Sequence, residues 1–300
     1  MKRILLIGGE GYIGSRLMMY LEGFIVESVD LKWHYNMIPA NRAVDAAALT
    51  KDYILSFDVV VFLTAHSSVK MAADGLSSLN NNLVNFVRIL DYLTCSSTKL
   101  IYASSAAVYG KSGSIERHET DAVELSADNF YDLTKKEMDL YSPLFDVESY
   151  GLRFGTVNGW SPHLRIDIML NAMSESVKRG SKIRAYNTSV YRPLLGIDDL
   201  CRAVLKIINS KEDKRGVYNL ASVNGMTVEE IARKAGTILN AEVDYMPGLD
   251  ESAYSFSISS DKFKKVYDFQ FEDTIQSIIQ SLEKQSTINT TRNEPINYGI

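Results

Sequence analysis

A chain of 300 residues with 46% hydrophobic, 23% charged and 10% aromatic residues has enough apolar matter for a large core, which excludes wholesale disorder. Its 32 basic and 37 acidic residues leave a net charge of -5, so no positive field is present to attract phosphate backbones or anionic lipid, and neither nucleic acid nor a membrane is expected as a partner. Through the first half, short β-branched runs alternate with longer segments of helical spacing. Strands are predicted at Arg3 to Ile7, Phe24 to Asp30, Asp58 to Leu63, Leu100 to Ala103 and Val147 to Leu152, with a weaker one at Arg42 to Val44. Helices are predicted at Tyr12 to Glu22, Leu76 to Leu93 and Phe130 to Phe145. This alternation predicts an α/β fold in which a Rossmann-type, doubly wound parallel sheet occupies residues 1–155.

Beyond Gly155 the pattern loosens. Helical spacing recurs at Ile166 to Arg179, Leu200 to Ile208, Val228 to Leu239 and Thr274 to Leu282, with short strands at Ile183 to Tyr186, Val217 to Leu220 and Glu242 to Tyr245. The expectation is a smaller mixed α/β substrate-binding lobe over 156–285, with 187–210 returning to the first domain and 286–300 a mobile polar tail. No run approaches the roughly 18 apolar residues of a membrane span. Gly8, Gly9 and Gly11 interrupt the apolar opening before it reaches the length of a signal peptide. Cys95 and Cys201, far apart, read as reduced, buried thiols, and a cytoplasmic location is expected. The four histidines show neither HxH nor HxxxH spacing, so no metal site is expected. His66 reads as a solvated loop histidine.

The first strand runs directly into Gly8-Gly9-Glu10-Gly11-Tyr12-Ile13-Gly14. Gly8 permits a tight turn, Gly11 lets the backbone approach a pyrophosphate, and Gly14 lets helix and strand pack closely. The helix start at Tyr12 and Ile13 offers unpaired N–H groups to the anion. The second strand ends in Asp30, whose carboxylate suits the adenosine ribose hydroxyls and would repel a 2'-phosphate, so NAD is expected rather than NADP. Tyr131 and Lys135 lie one turn apart on a predicted helix. A tyrosine hydroxyl with an ordinary pKa of about 10 becomes a useful base near neutral pH when a cation favours its phenolate, and Lys135 could also hold the nicotinamide ribose. Ser104 and Ser105 follow the strand at Leu100 to Ala103, at the carboxyl edge where such sheets bind ligands.

Together, Gly8-x-x-Gly11-x-x-Gly14, Asp30, Ser104-Ser105-Ala106-Ala107-Val108-Tyr109-Gly110 and Tyr131-x-x-x-Lys135 resemble the extended short-chain dehydrogenase/reductases, in particular the nucleotide-sugar epimerase/dehydratase branch. The resemblance covers residues 1–283 and is strongest in the first 200. It implies a Ser105-Tyr131-Lys135 triad, a cofactor cleft lined at Leu63, a structural asparagine at Asn82, and a homodimer built on the helices at Leu76 to Leu93 and Phe130 to Phe145. Leu152 to Gly159 resembles the family segment that usually ends Tyr-Gly-Pro, with Asn158 in place of the tyrosine. Ser161 to Asp167 and Asn171 resemble a subgroup that includes dehydrogenases of nucleotide-activated sugars, which places Arg165 and Asn171 at the substrate. Arg165 with Asp167 also reads as a plain surface pair. Tyr191 to Asp199 resembles the element whose arginine, here Arg192, contacts a diphosphate, whereas Tyr254 stands where relatives often have a second arginine. Ala106-Ala107 replaces the Asp-Glu of the family's dehydratases, which argues against loss of water.

The motifs and the resemblance together predict an enzyme that oxidises C4 of a nucleotide sugar with NAD. A 4-epimerase leads, with a 4-dehydrogenase or a 4-keto-sugar reductase as alternatives and a non-catalytic dinucleotide sensor as a further one.

Overall fold

The computed structural model describes residues 1–31, 42–67, 71–123, 129–248 and 255–285. Tyr254, His34 and the tail at 286–300 lie outside the described residues.

β1 (Arg3–Ile7), β2 (Ile25–Asp30), β3 (Arg42–Ala43), β4 (Val59–Phe62) and β5 (Lys99–Ser105) join the strands Ser149–Phe154 and Gly216–Leu220 in one sheet. Its order is Gly216–Leu220, Ser149–Phe154, β5, β4, β1, β2, β3, and every pairing is parallel. The central strands are apolar on both faces because each face carries its own core. Leu5, Ile7, Val60, Phe62, Leu100 and Tyr102 point to the side of α2 (Lys51–Leu55) and α4 (Asn85–Leu93). Ile4, Leu6, Val59, Val61 and Ile101 point to the other side, against Leu17 of α1 (Tyr12–Met18) and the helix Ile197–Asn209. From β1 the chain moves outward to β2 and β3, then returns to β4 on the opposite flank. The carboxyl ends of β1 and β4 therefore open a crevice at a topological switch point, where doubly wound sheets bind ligands.

Several elements depart from the sequence reading, each for a local reason. The helix predicted at Leu76 to Leu93 is α3 (Gly75–Ser78), a π-helical stretch Leu79–Val84, and then α4. The wide turn seats Asn82, which is fully buried, accepts from His66 N at 2.7 Å and donates to Thr134 Oγ1 at 3.2 Å. α1 ends early in tighter turns, with Tyr20 N on Leu17 O at 2.8 Å, before Gly23 at φ +90° reverses the chain. Cys95 is exposed rather than buried, because it takes a left-handed turn conformation, φ 59°, as the chain leaves α4; Cys201 is buried.

Val217 to Leu220, expected in the second lobe, belongs to the central sheet, paired with Ser149–Phe154. The Phe263, Tyr267 and Phe269 cluster likewise packs on the sheet core through Tyr218. The remaining lobe has its own core. Leu170, Met173, Ile231, Ala235, Ile278 and Leu282 come from three helices, Met169–Lys178, Val228–Leu239 and Ile275–Gln285, beside the parallel pair Ile183–Ala185 and Val243–Tyr245. The helix Val228–Leu239 starts on a capping box, in which Thr227 and Glu230 each satisfy the other's backbone N–H. Among the described residues no helix is long and apolar enough to cross a membrane.

Candidate active site

The crevice begins with the turn after β1. Gly8 adopts φ +90°, and a Cβ there would stand 2.6 Å from Thr64 N. A Cβ on Gly14 would stand 2.4 Å from Gly8 O, so helix α1 can lie on the turn only without a side chain at that position. Gly11 meets nothing closer than 3.5 Å and leaves its side of the turn open. Gly8, Gly11, Gly14, Asp30, Leu63 and Arg165 line a single cleft, together with Tyr12 and Ile13. Asp30, at the end of β2, is already integrated with the turn: one carboxylate oxygen accepts from Glu10 N at 2.9 Å and the other from Leu31 N at 2.7 Å. Each oxygen keeps a lone pair for a further donor. His66, expected in solvent, is half-buried on the cleft wall, with Nδ1 2.8 Å from Ser78 Oγ. Burial holds its imidazole below the ordinary histidine range.

Two neighbouring elements supply the expected triad. β5 ends in Ser105, which caps the following turn by accepting from Ala107 N at 3.2 Å. α5 (Phe130–Tyr141), capped by Asn129, carries Tyr131 and Lys135. Tyr131's ring is partly exposed, while its hydroxyl lies deep enough for burial to push its pKa up. A hydrogen bond with Ser105 pulls it down, Asp132 raises it, and the Arg165 guanidinium lowers it. Lys135 is buried, and burial brings its ammonium down to about 8 against the opposing charge of Asp139. Its Nζ donates to Ala103 O at 2.6 Å.

The segment from Gly159 to Asn171 reaches both sites. Ser161 Oγ donates to Tyr12 O at 2.6 Å and pairs with Ser15 Oγ at 2.8 Å. His163 Nδ1 contacts Glu10 O, and Tyr12 Oη donates to Gly159 O at 2.8 Å. Arg165 then grips Asp167 through Nε at 3.1 Å and Nη2 at 2.6 Å. That pair is largely buried, which overturns its reading as a plain surface contact. Asn171, expected at the substrate, is committed elsewhere. It is 1% exposed, accepts from Gly159 N at 2.9 Å, and donates to Tyr12 Oη at 3.2 Å and Arg165 O at 2.9 Å. Both amide donors are used, so Asn171 holds the wall of the site instead of a ligand. Arg192 is not among the residues lining the cleft around the glycine turn; its guanidinium lies over the Phe256 ring at 5.5 Å.

The model of the NAD dependent epimerase/dehydratase family matches residues 4–221. The chain belongs to that family. It is similar to Protein CapI of Staphylococcus aureus, 26% identical over 91% of this chain and 95% of that one. It is similar also to a UDP-glucose 4-epimerase of Lactobacillus helveticus, 24% identical over 87% and 89%. Among solved structures it resembles MoeE5 in complex with UDP-glucuronic acid and NAD, with a TM-score of 0.80 and 19% identity over 95% of this chain and 99% of that one. It also resembles the UDP-glucose 4-epimerase of Thermotoga maritima with UDP-glucose, with a TM-score of 0.82 and 18% identity over 96% and 100%.

The family's cofactor is NAD, and the residues present fit it. The turn closes only because Gly8 and Gly14 carry no Cβ, Gly11 leaves its side open for a backbone approach, and Asp30 offers free lone pairs in the same cleft. Where this member departs from the family pattern, the structure supplies the reason. Asn158, in place of the family's tyrosine, is fully buried and accepts from Leu170 N at 2.9 Å. It thereby caps the first turn of the helix Met169–Lys178 from a distance, since Ile168 at the cap position gives no side-chain bond. The bracing residues Ser161 and His163 escaped sequence reasoning because their partners lie about 150 positions earlier; a polar Ser-Pro-His run between two apolar segments was the one available signal.

Proposed function

We propose that the chain is an NAD-dependent nucleotide-sugar 4-epimerase acting on a UDP-activated hexose or hexuronate. The observation that carries this reading is the seating of α5, with Tyr131 and Lys135, on the end of β5 that carries Ser105, through the bond from Lys135 Nζ to Ala103 O at 2.6 Å, beside a cleft built on the glycine turn. Support also comes from relatives that bear the names UDP-glucose 4-epimerase and UDP-glucuronate 4-epimerase. Bound NAD would supply the acceptor for the C4 hydride and then return that hydride to the opposite face of the sugar. Ser105 Oγ orients the sugar's O4. Tyr131 Oη takes the hydroxyl proton as the alcohol is oxidised and gives it back when the ketone is reduced. Lys135 holds the nicotinamide ribose, and Arg192 on its Phe256 platform holds the diphosphate. The residues after Ser105 are Ala106 and Ala107, both buried and without an acid, so no side chain is positioned there to drive off a hydroxyl as water.

Incubation with NAD and either UDP-glucose or UDP-glucuronate, followed by anion-exchange chromatography, is expected to show conversion to the C4 epimer without net formation of NADH. Stoichiometric NADH would move the reading to a dehydrogenase. Absence of both products with both sugars would overturn it.

The reading includes a cytoplasmic homodimer that serves carbohydrate biosynthesis. Two unpaired cysteines support the location. The dimer rests on apolar side chains left in solvent along the adjoining helices: Leu76 is 72% exposed, Leu144 75% and Leu140 52%. Sedimentation at micromolar concentration is expected to show a dimer, and a Leu140→Glu, Leu144→Glu double variant a monomer. A monomeric wild-type chain would remove the dimer from the reading.

A further inference from the structure

The carboxamide of Asn82, on the π-helical stretch Leu79–Val84, can be oriented from its partners. The backbone N–H of His66 can only donate, so the atom that accepts it at 2.7 Å is Oδ1. Nδ2 then faces Thr134 and donates to its Oγ1 at 3.2 Å. With a lone pair used in this way, the Thr134 hydroxyl turns its own hydrogen to the carbonyl of Tyr131, at 2.9 Å. Three hydrogen bonds thus run head to tail from the loop after β4 to the backbone of Tyr131, an arrangement in which each bond polarises the next.

The middle of this strut is dry and both of its ends are anchored. Asn82 and Thr134 are fully buried. His66 lines the cofactor cleft beside Asn81, and its ring is held a second time, Nδ1 lying 2.8 Å from Oγ of the buried Ser78. Asn81 Nδ2 adds a further donor to Asn82 Oδ1 at 3.1 Å. At the other end α3 lies against the residue before Tyr131, so closely that a Cβ on Gly75 would stand 2.3 Å from the Phe130 ring. The π-helical turn that brings Asn82 inward is an uncommon form, and such turns concentrate at functional sites.

We propose that Thr134, acting through Asn82, is a positioning residue for the reaction: it fixes the backbone of Tyr131 at a set spacing from the loop after β4, so that the tyrosine and a bound dinucleotide are registered on each other. Its hydroxyl is spent on Asn82 and on the Tyr131 carbonyl, and it acts by holding Tyr131 rather than by touching the sugar. The proposal rests on the epimerase reading for its purpose, whereas the strut belongs to the free protein.

Thr134→Val keeps the shape of the side chain and removes the hydroxyl. In the free protein, amide hydrogen exchange read by NMR is expected to quicken at His66 by about tenfold, the weight of one hydrogen bond, while Val60 and Val61 of β4 exchange as before. In the assay kcat is expected to fall by about tenfold to a hundredfold, the scale of a slightly misplaced reacting group, with KM and the affinity for NADH unchanged. Thr134→Ser, which keeps the hydroxyl, is expected to restore both readings. A wild-type kcat or an unchanged His66 amide in Thr134→Val would each overturn the proposal. So would an equal loss in Thr134→Ser, or exchange that quickens across the whole sheet together with His66, the mark of plain destabilisation. If Thr134→Val does not fold, Thr134→Cys, whose thiol bonds only weakly, is read in the same way. Failure of the epimerase reading is a separate outcome: no turnover of any nucleotide sugar by the wild-type chain, with exchange at His66 still deciding whether the strut exists.

Discussion

Replacing Tyr131 by phenylalanine is expected to lower epimerase turnover by a factor of about 10² to 10⁴, the range spanned by removal of a positioned general acid–base group. Affinity for NAD should change little. The asymmetry follows from where the hydroxyl sits. Phenylalanine keeps the ring, at the start of α5, and removes a single oxygen. Tyr131 is not among the residues that line the cleft of the glycine turn, Asp30 and Leu63, so the dinucleotide contacts expected there stay in place. Fluorescence titration with NADH alongside a coupled assay separates the two effects. Loss of NAD binding in parallel with activity would show that the phenol supports the cofactor site and not the proton transfer.

An equally large effect is expected on stability one turn of α5 beyond Lys135. Arg153, on the Ser149–Phe154 strand, donates from Nε to Asp139 of α5 at 2.7 Å and from Nη1 to Tyr109 Oη at 2.6 Å. Asp139 also accepts from Tyr102 Oη at 3.1 Å, and Tyr109 Oη donates to Asn219 Oδ1 at 2.8 Å. Arg153 is 4% and Asp139 2% exposed on their side chains. Arg153→Met strips a buried carboxylate of its hydrogen-bonded guanidinium and leaves it only the more distant charge of Lys135, which costs about 3 to 5 kcal/mol in comparable pairs. Urea denaturation should show the midpoint falling accordingly. The pair itself is worth far less than that figure, because forming it required two charges to leave water. Arg153→Met with Asp139→Leu should therefore recover much of the loss. A double variant as unstable as the single one would mean that the network's hydrogen bonds, and not the stranded charge, set the cost.

The parts of this protein legible in its sequence are those whose meaning is local. Gly8, Gly11 and Gly14 lie within one turn of chain, and their function depends on backbone space that no distant residue can supply. Tyr131 and Lys135 share a helix face by spacing alone. Longer-range matters were legible in type but not in place. Gly216–Leu220 is apolar and β-prone, yet nothing in its composition says whether it pairs with Ser149–Phe154 or with a strand of the lobe; the sheet edge it covers decides. Asn171 was named through the resemblance as a substrate residue, whereas its hydrogen bonds here run to Gly159, Tyr12 and Arg165, partners that no local spacing names. The direction taken by Lys135 Nζ depends on a carbonyl of β5, 32 positions away.

The stitches between the turn after β1 and the segment from Gly159 to Asn171 have a consequence for how such a protein can be recombined. Ser161, His163 and Tyr12 make the cofactor turn and the pocket wall a single piece of masonry, joined by bonds whose two ends lie in different halves of the gene. An exchange of the C-terminal half with that of a relative, made to graft in another sugar preference, would bring a wall cut for a different turn. The unit of inheritance for specificity is thus discontinuous: residues 10–15 have to travel with residues 159–171, and a crossover placed between them separates two surfaces shaped for each other.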